Sequence, residues 1–364
     1  ITPNAHAAVE KLGPYRLLRQ LGEGGMARIY LAEHEKLGRI CAIKRLHADH
    51  FTDKLTVARF LAEARAVGAI HHPNLVSAYD VVEEPNEIYL VMEYLDGRDV
   101  AQVLRDEGPM TADRAAEIMA QACDGLAAVH EKNIIHRDLK PENIFLTRLP
   151  DGNERVKLLD FGVARLLGDR PQELRTRSGL TVGTPTYMSP EQATASEIDA
   201  RSDVYTVGVV LYEMLSGAPP FDEGTEVATL TRLAKGEPAR PLPESVPEAV
   251  RVVVMRAIAP SRDDRFETAM QLHLSLEAAL TEIGEHTGAA QIAEYVGDRM
   301  TDRAKERKQL VARALEVANA RARGEEPTGS TPAFIDESGS HVPAGAMPLD
   351  ATPPEPASHA TLGS

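Results

Sequence analysis

His136-Arg137-Asp138-Leu139-Lys140-Pro141-Glu142-Asn143 is the stretch on which the reading of this chain turns. One short loop carries a carboxylate able to act as a base, two neighbouring cations and an amide able to ligate a metal. Asp160-Phe161-Gly162 follows at a separation that lets a second hard oxygen ligand reach the same ion. Val156-Lys157-Leu158-Leu159, just before Asp160, reads as a strand that would hold this ligand rigidly. A single Asp or Asn in a turn is commonplace. An ordered set of such groups calls for an explanation in the rest of the chain.

Composition narrows the choices. The 364 residues leave room for one large domain or two modest ones, and 43% hydrophobic with 26% charged residues is ordinary for a globular protein. A formal charge of −15 argues against a general nucleic-acid binder, which would carry a basic stripe. Cys41 and Cys123, the two cysteines, are too far apart to suggest a disulfide framework, which points to a reducing, cytoplasmic setting. No apolar run approaches the roughly 18 residues of a membrane span, and no signal peptide is visible. The sequence begins at Ile1 rather than Met, which leaves open an anchor outside it.

Outward from the loop, short apolar runs come first and helical patterns later. Ile29-Tyr30-Leu31-Ala32, Ile40-Cys41-Ala42-Ile43-Lys44 and Ile88-Tyr89-Leu90-Val91-Met92 read as strands. Between the second and third, Val57, Phe60, Leu61, Ala64 and Val67 share one helix face. From about Thr111, Ala115, Ile118, Met119, Ala122, Leu126 and Val129 repeat at helical steps, and a further helix over Val204–Leu215 stops at Ser216-Gly217-Ala218-Pro219-Pro220. The order predicts an α+β chain of two lobes, a small sheet with one main helix and then a larger, mostly helical lobe. Residues 1–14 read as a leader without periodicity. Over 281–323, Ile292, Val296, Met300, Ala304, Val311 and Leu315 mark a charged amphipathic helix. Residues 324–364, rich in Pro, Ser, Thr and Gly, read as a disordered tail.

Leu21-Gly22-Glu23-Gly24-Gly25-Met26-Ala27, followed by the strand at Ile29, can turn tightly and bring backbone N–H groups close to phosphate oxygens. An ordinary hairpin turn is the plain alternative. A dinucleotide-binding turn would need a helix next and an acidic residue about 20 positions on; here a strand follows, with Lys44 instead. Strand alternation puts Ile40, Ala42 and Lys44 on one face. If Ala42 meets a flat base, Lys44 points at its phosphates. Glu63 lies on the inward stripe between Phe60 and Val67, where a carboxylate is costly unless paired.

Taken together these segments resemble the bacterial Ser/Thr protein kinases of eukaryotic type, over roughly residues 15–280. Cys41-Ala42-Ile43-Lys44 is similar to that family's V-A-I-K strand, and His136–Asn143 and Asp160-Phe161-Gly162 to its catalytic and metal-binding loops. The resemblance implies a bilobal, kinase-like fold with an antiparallel-sheet N-lobe. It also implies transfer of the γ-phosphate of ATP, with Mg²⁺ (Mn²⁺ as an alternative), to protein Ser/Thr hydroxyls. By the same resemblance Asp138 is the base, Lys140 neutralises the moving phosphate, Lys44 and Glu63 form the phosphate-positioning ion pair, and Asn143 and Asp160 hold the metal. Leu21 through Ala27, Ile29, Ala42, Met92, Glu93, Leu95, Asp99 and Phe145 would line the nucleotide site, with Glu93, Tyr94 and Leu95 as its hinge.

Gly183-Thr184-Pro185-Thr186-Tyr187-Met188-Ser189-Pro190-Glu191 resembles the ledge that receives the acceptor, and the Ser189-Pro190-Glu191-Gln192 wording resembles the bacterial members of the family. Thr184 is then expected at Asp138 and Lys140, and Glu191 on Arg265. Thr181 and Thr176 foremost, with Ser178, are the expected phosphoacceptors of an activation loop that also holds Arg170, Arg175 and Arg177. Arg137 is the expected receiver of that phosphate, and self-association would serve autophosphorylation in trans. Two departures stand out: Ala27 replaces the family's third glycine, and Tyr205 stands where Trp is common. A metal reading of His47, His50, His71 and His72 is disfavoured. A scaffold that has lost catalysis would be expected to lack Lys44, Asp138 or Asp160, and a small-molecule phosphotransferase would not need the 183–191 ledge.

Overall fold

A computed structural model describes residues 10–84, 87–149, 154–160 and 185–283. The expected phosphoacceptors at 176, 178 and 181, Phe161, Gly162, Thr184, the loop arginines at 170, 175 and 177, and the segments read as helical extension and tail from 284 onward lie outside them. No helix among the described residues is long and apolar enough to cross a membrane.

The N-terminal half is a sheet with one helix. Strands β1 (Lys11–Leu12), β2 (Tyr15–Glu23), β3 (Ala27–His34) and β4 (Arg39–Leu46) lead to helix α1 (Lys54–Gly68), then β5 (Ala78–Glu84) and β6 (Glu87–Glu93). All pairs are antiparallel, in the order β1-β2-β3-β4-β6-β5. β1 falls within the stretch read as a leader. Leu12 is fully buried beside Tyr15, Tyr89 and Val91, and two residues are too short to carry a visible alternation. Alternation otherwise works as expected. Cys41 and Ile43 join that cluster, whereas Ala42, one position between them, joins the large core that continues into the other lobe. Asp53 caps α1 by accepting from Leu55 N at 3.0 Å, and Phe60, Leu61 and Ala64 pack it on Leu46, Ile88 and Leu90.

The second half is helical around a small three-stranded sheet. Strand β7 (Gly97–Asp99) precedes helices α2 (Val100–Glu107) and α3 (Ala112–His130). Strands β8 (Ile144–Arg148) and β9 (Glu154–Leu158) follow, pairing in the order β7-β8-β9. Helices α4 (Pro190–Ala193), α5 (Ala200–Ser216), α6 (Glu226–Ala234), α7 (Glu248–Ala257) and α8 (Ala269–Glu282) complete the described chain. α3 buries the expected stripe from Ala115 to Val129. α5 is buried nearly all round, which marks it as the central post. It ends at Gly217 with φ 81°, the left-handed cap that glycine adopts without strain. A Cβ on Gly208 would stand 2.7 Å from Ile258 Cγ2 and 2.8 Å from Ala257 Cβ, so this glycine lets α7 approach α5.

The two halves are stitched near the site. Leu158 N donates to Asn74 O at 2.8 Å, and Val76 N to Leu158 O at 3.1 Å. Asn74 Nδ2 also donates to Val156 O at 3.1 Å. The turn after α1 is thereby tied to the strand that delivers Asp160.

Candidate active site

Lys44, Glu63 and Asp160 meet at one point. Lys44 Nζ lies 2.8 Å from Glu63 Oε1 and 2.7 Å from Asp160 Oδ1, joining β4, α1 and the segment just after β9. Lys44 and Glu63 are buried, while the Asp160 side chain keeps 45% of its surface exposed. Burial disfavours the Lys44 ammonium, but the charges of Asp160 and then Glu63 outweigh it and raise its pKa. Burial pushes the Glu63 carboxyl up, helped by the Asp160 carboxylate and opposed by Lys44. Asp160 goes the other way: burial raises it, and Lys44 more than compensates, holding it below its usual range. The cluster thus holds two carboxyls against one ammonium, with an open side at Asp160. Asp160 adopts φ 45°, a strained conformation for a residue with a side chain.

The loop at 136–143 is fixed from below. Asp203 Oδ2 accepts from His136 N at 2.8 Å and Oδ1 from Arg137 N at 2.9 Å, with Arg137 held at φ 64°. His130 Nε2 stands 2.8 Å from the same carboxylate. Burial alone would raise Asp203; the hydrogen bond and charge of His130 outweigh it and keep it low. His136 is fully buried, and burial lowers its pKa, so it sits as neutral imidazole with Nε2 donating to Leu159 O at 3.1 Å. Leu159 N in turn donates to Asn143 O at 2.9 Å, and Asn143 Nδ2 donates to Asp138 O at 2.8 Å. The loop and the Asp160 segment are therefore one hydrogen-bonded unit. Lys140 Nζ lies 3.6 Å from Asp138 Oδ2.

Asn143 commits its amide nitrogen and Asp160 one carboxylate oxygen, so an oxygen remains on each that is not the atom in those bonds. Hard, partly anionic oxygens of this kind suit Mg²⁺ or Mn²⁺. No group of three or more His, Cys, Asp or Glu among the described residues forms a metal cage.

The expected nucleotide residues sort into two kinds. Ala42 and Met92 are cross-strand neighbours, both buried, and Ile29 pairs with Lys44 and packs on the same core. Gly22 and Glu23 end β2, Gly24 to Met26 make the turn, and Gly24 N closes it on Ala27 O at 2.9 Å. Leu21 is exposed on β2, and Leu95 is half-buried. Other positions have local duties as well. Glu93 gives its N–H to Ser77 O, while its carboxylate accepts from Ser77 N at 2.7 Å and Lys157 Nζ at 2.6 Å, so its side chain serves as a strut. Asp99 caps α2 through Gln102 N at 2.7 Å. Phe145 stands half-buried in β8 opposite Asp99 and Lys157.

Beside the loop lies the expected ledge. Asp138, Lys140, Tyr187, Met188 and Gln192 line a small recess. Gln192 Nε2 donates to Arg137 O at 3.0 Å, and Tyr187 Oη to Glu213 at 2.8 Å. Arg265 donates to both oxygens of Glu191, at 2.7 and 3.0 Å, and Ser202 Oγ donates to Glu191 Oε1 at 2.6 Å. Burial raises the Glu191 carboxyl, and Arg265 and Ser202 more than reverse this. Tyr205, at the unusual position, stacks on Phe221 at 6.2 Å and lies under the Arg265 guanidinium at 4.6 Å.

The sequence assigns no role to His130 or Lys157, and it marks Gln192 only as part of the Ser189–Gln192 wording. Lys157 sits in a segment already read as a strand, and a lysine alternating inward there was the available signal. His130 gives none, because its partner lies 73 residues away, and the Gln192 contact with Arg137 O spans 55 residues.

A family model described as protein kinase domain matches residues 15–275. The chain is 40% identical over 275 residues to serine/threonine-protein kinase Pkn1 of Myxococcus xanthus, covering 75% of this chain and 39% of that protein. It is 40% identical over 268 residues to serine/threonine-protein kinase PknB of Mycolicibacterium smegmatis, covering 72% and 42% respectively. It therefore spans about two-fifths of the length of these curated relatives. A crystal structure of a mutant PknI kinase domain from Mycobacterium tuberculosis superimposes with a TM-score of 0.57 at 24% identity, covering 76% of this chain and 99% of that one, a likeness of fold.

Proposed function

The chain belongs to the protein kinase family, of the bacterial Ser/Thr type, and we propose that it transfers the γ-phosphate of ATP to Ser or Thr hydroxyls of proteins, its own activation loop included. The observation that carries this reading is the meeting of Lys44 with both Glu63 and Asp160 beside a loop that presents Asp138. Residues 15–280 would do the chemistry, on the cytoplasmic side where ATP is available.

Phosphoryl transfer asks for positioning and charge compensation more than covalent work. Asp138 accepts the hydroxyl proton and aims its oxygen; Asp203, by fixing two backbone N–H groups, keeps that carboxylate in place. Lys140 offsets charge on the phosphate in transit. Lys44, steadied by Glu63, grips the inner phosphates. Asn143 and Asp160 would hold Mg²⁺, or Mn²⁺, which when bound neutralises phosphate charge. The ledge at Tyr187–Gln192 seats the acceptor, and its anchoring to Arg137 O couples its order to that of the loop. Arg137 would receive a phosphate added at Thr176, Ser178 or Thr181, and two copies would meet for that reaction.

Phosphosite mapping by mass spectrometry after incubation with MgATP tests this. The reading expects phosphate on Ser and Thr of the chain and of added protein, absent in Asp138→Ala. Incorporation only into sugars or other small molecules, or none at any protein concentration, would refute it.

A further inference from the structure

The segment after β4 lies against the glycine turn and touches it at three successive carbonyls. His47 N donates to Met26 O at 2.9 Å, His47 Nε2 lies 3.0 Å from Gly24 O, and His50 Nε2 lies 3.4 Å from Gly25 O. A carbonyl oxygen only accepts, so each Nε2 carries the proton in its contact. The two rings, 6.2 Å apart, sit at either end of a short 3-10 turn, Ala48–His50, and are only partly exposed.

The peptides here are trans, so each carbonyl and the N–H that follows it point in opposite directions. Drawing the carbonyls of Gly24, Gly25 and Met26 toward residues 47–50 therefore turns the N–H groups of Gly25, Met26 and Ala27 away from them. Two adjacent glycines would otherwise sample many conformations, most of which scatter those amides. An array of backbone N–H groups held on one side is an anion cradle.

We propose that His47 and His50 are positioning residues for the nucleotide's phosphates. They hold the glycine turn from behind and so pre-order its amides for the β- and γ-phosphates. The proposal rests on the nucleotide reading above. It also gives each of the two neighbouring histidines a partner, because each ring has a carbonyl to serve. Pre-ordering reduces the entropy lost on binding, so the effect belongs to affinity for phosphates and not to adenine.

Calorimetric titration of the whole chain with MgATP, MgADP and adenosine tests it, on wild type, His47→Ala and His47→Gln. Losing one neutral hydrogen bond of about 1 kcal/mol corresponds to about fivefold in affinity. His47→Ala is expected to weaken MgATP binding about fivefold or more, to raise KM for ATP with little change in kcat, and to leave adenosine binding unaltered. His47→Gln, whose Nε2 reaches the same place, restores most of the loss; His47→Leu replaces the alanine variant if that proves unstable. Unchanged MgATP affinity in a variant lacking the donor, or an equal loss for adenosine, would overturn the clamp while leaving the kinase reading standing. Wild type that binds none of the three would overturn the nucleotide reading itself, and the clamp with it.

Discussion

Two of the buried ion clusters among the described residues are built on opposite plans. Arg265 and Glu191 are sealed, with side chains 0% and 5% exposed. Every strong valence is met there. Arg265 gives further bonds to the carbonyls of Ala259, Arg201 and Pro260 and lies over the Tyr205 ring, and Glu191 takes the Ser202 hydroxyl. Lys44 instead divides one ammonium between two carboxyls, one of them half-exposed on strained backbone. The first cluster has one arrangement and keeps it. The second carries surplus negative charge on an open side, which is what a site that exchanges cations and phosphates needs.

Substitutions in each cluster put that contrast to the test. The largest effect expected is on turnover. Asp160→Asn keeps the volume and removes the charge that would hold the metal; a loss of about 4 kcal/mol in charge stabilisation is about a thousandfold in rate, read as phosphate incorporation. Next comes stability. Arg265→Met leaves Glu191 buried and unpaired and is expected to cost about 3–5 kcal/mol in urea unfolding. Lys44→Met is expected to cost under about 2 kcal/mol, because Asp160 is partly solvated and Glu63 can take up a proton.

The pH dependence should have opposite signs in the two places. The Glu191 carboxyl is held below 4.5, so its contribution is full above that value and lost as pH falls through the lower folded pKa. Glu63 is pushed up to about 7, so the folded state binds its proton more tightly; its contribution is full below 4.5 and lost as pH rises through about 7. Stability profiles of Glu191→Gln and Glu63→Gln should each flatten in their own window and not in the other. The smallest effect is expected at Tyr205. Its buried hydroxyl finds no hydrogen-bond partner among the described residues, so Tyr205→Phe should stay within about 0.5 kcal/mol of wild type or gain slightly.

The same contrast explains what could be read from sequence. Lys44 and Glu63 were legible because strand alternation and a helical stripe put them inward, where an unpaired charge is costly. The 136–143 loop was legible because its reactive groups are contiguous. The Asp203–His130 contact and the Glu93–Lys157 strut depend on which elements pack together, and no local period encodes that. β1 was missed because two residues cannot show alternation, and its partner supplies the order. The glycine turn was legible as a tight turn before a strand, but the histidines that touch it follow β4, and no local period ties them to it.

If Lys44 serves phosphate transfer and not the holding together of the fold, one paired measurement on Lys44→Met separates the two roles: MgATP-dependent phosphate incorporation together with the urea midpoint of the same preparation. Incorporation is expected to fall about a hundredfold or more, the scale of a lost charged contact in a desolvated site, with a midpoint far nearer wild type than that of Arg265→Met. Undiminished incorporation, or a midpoint that falls as far as that of Arg265→Met, would contradict it.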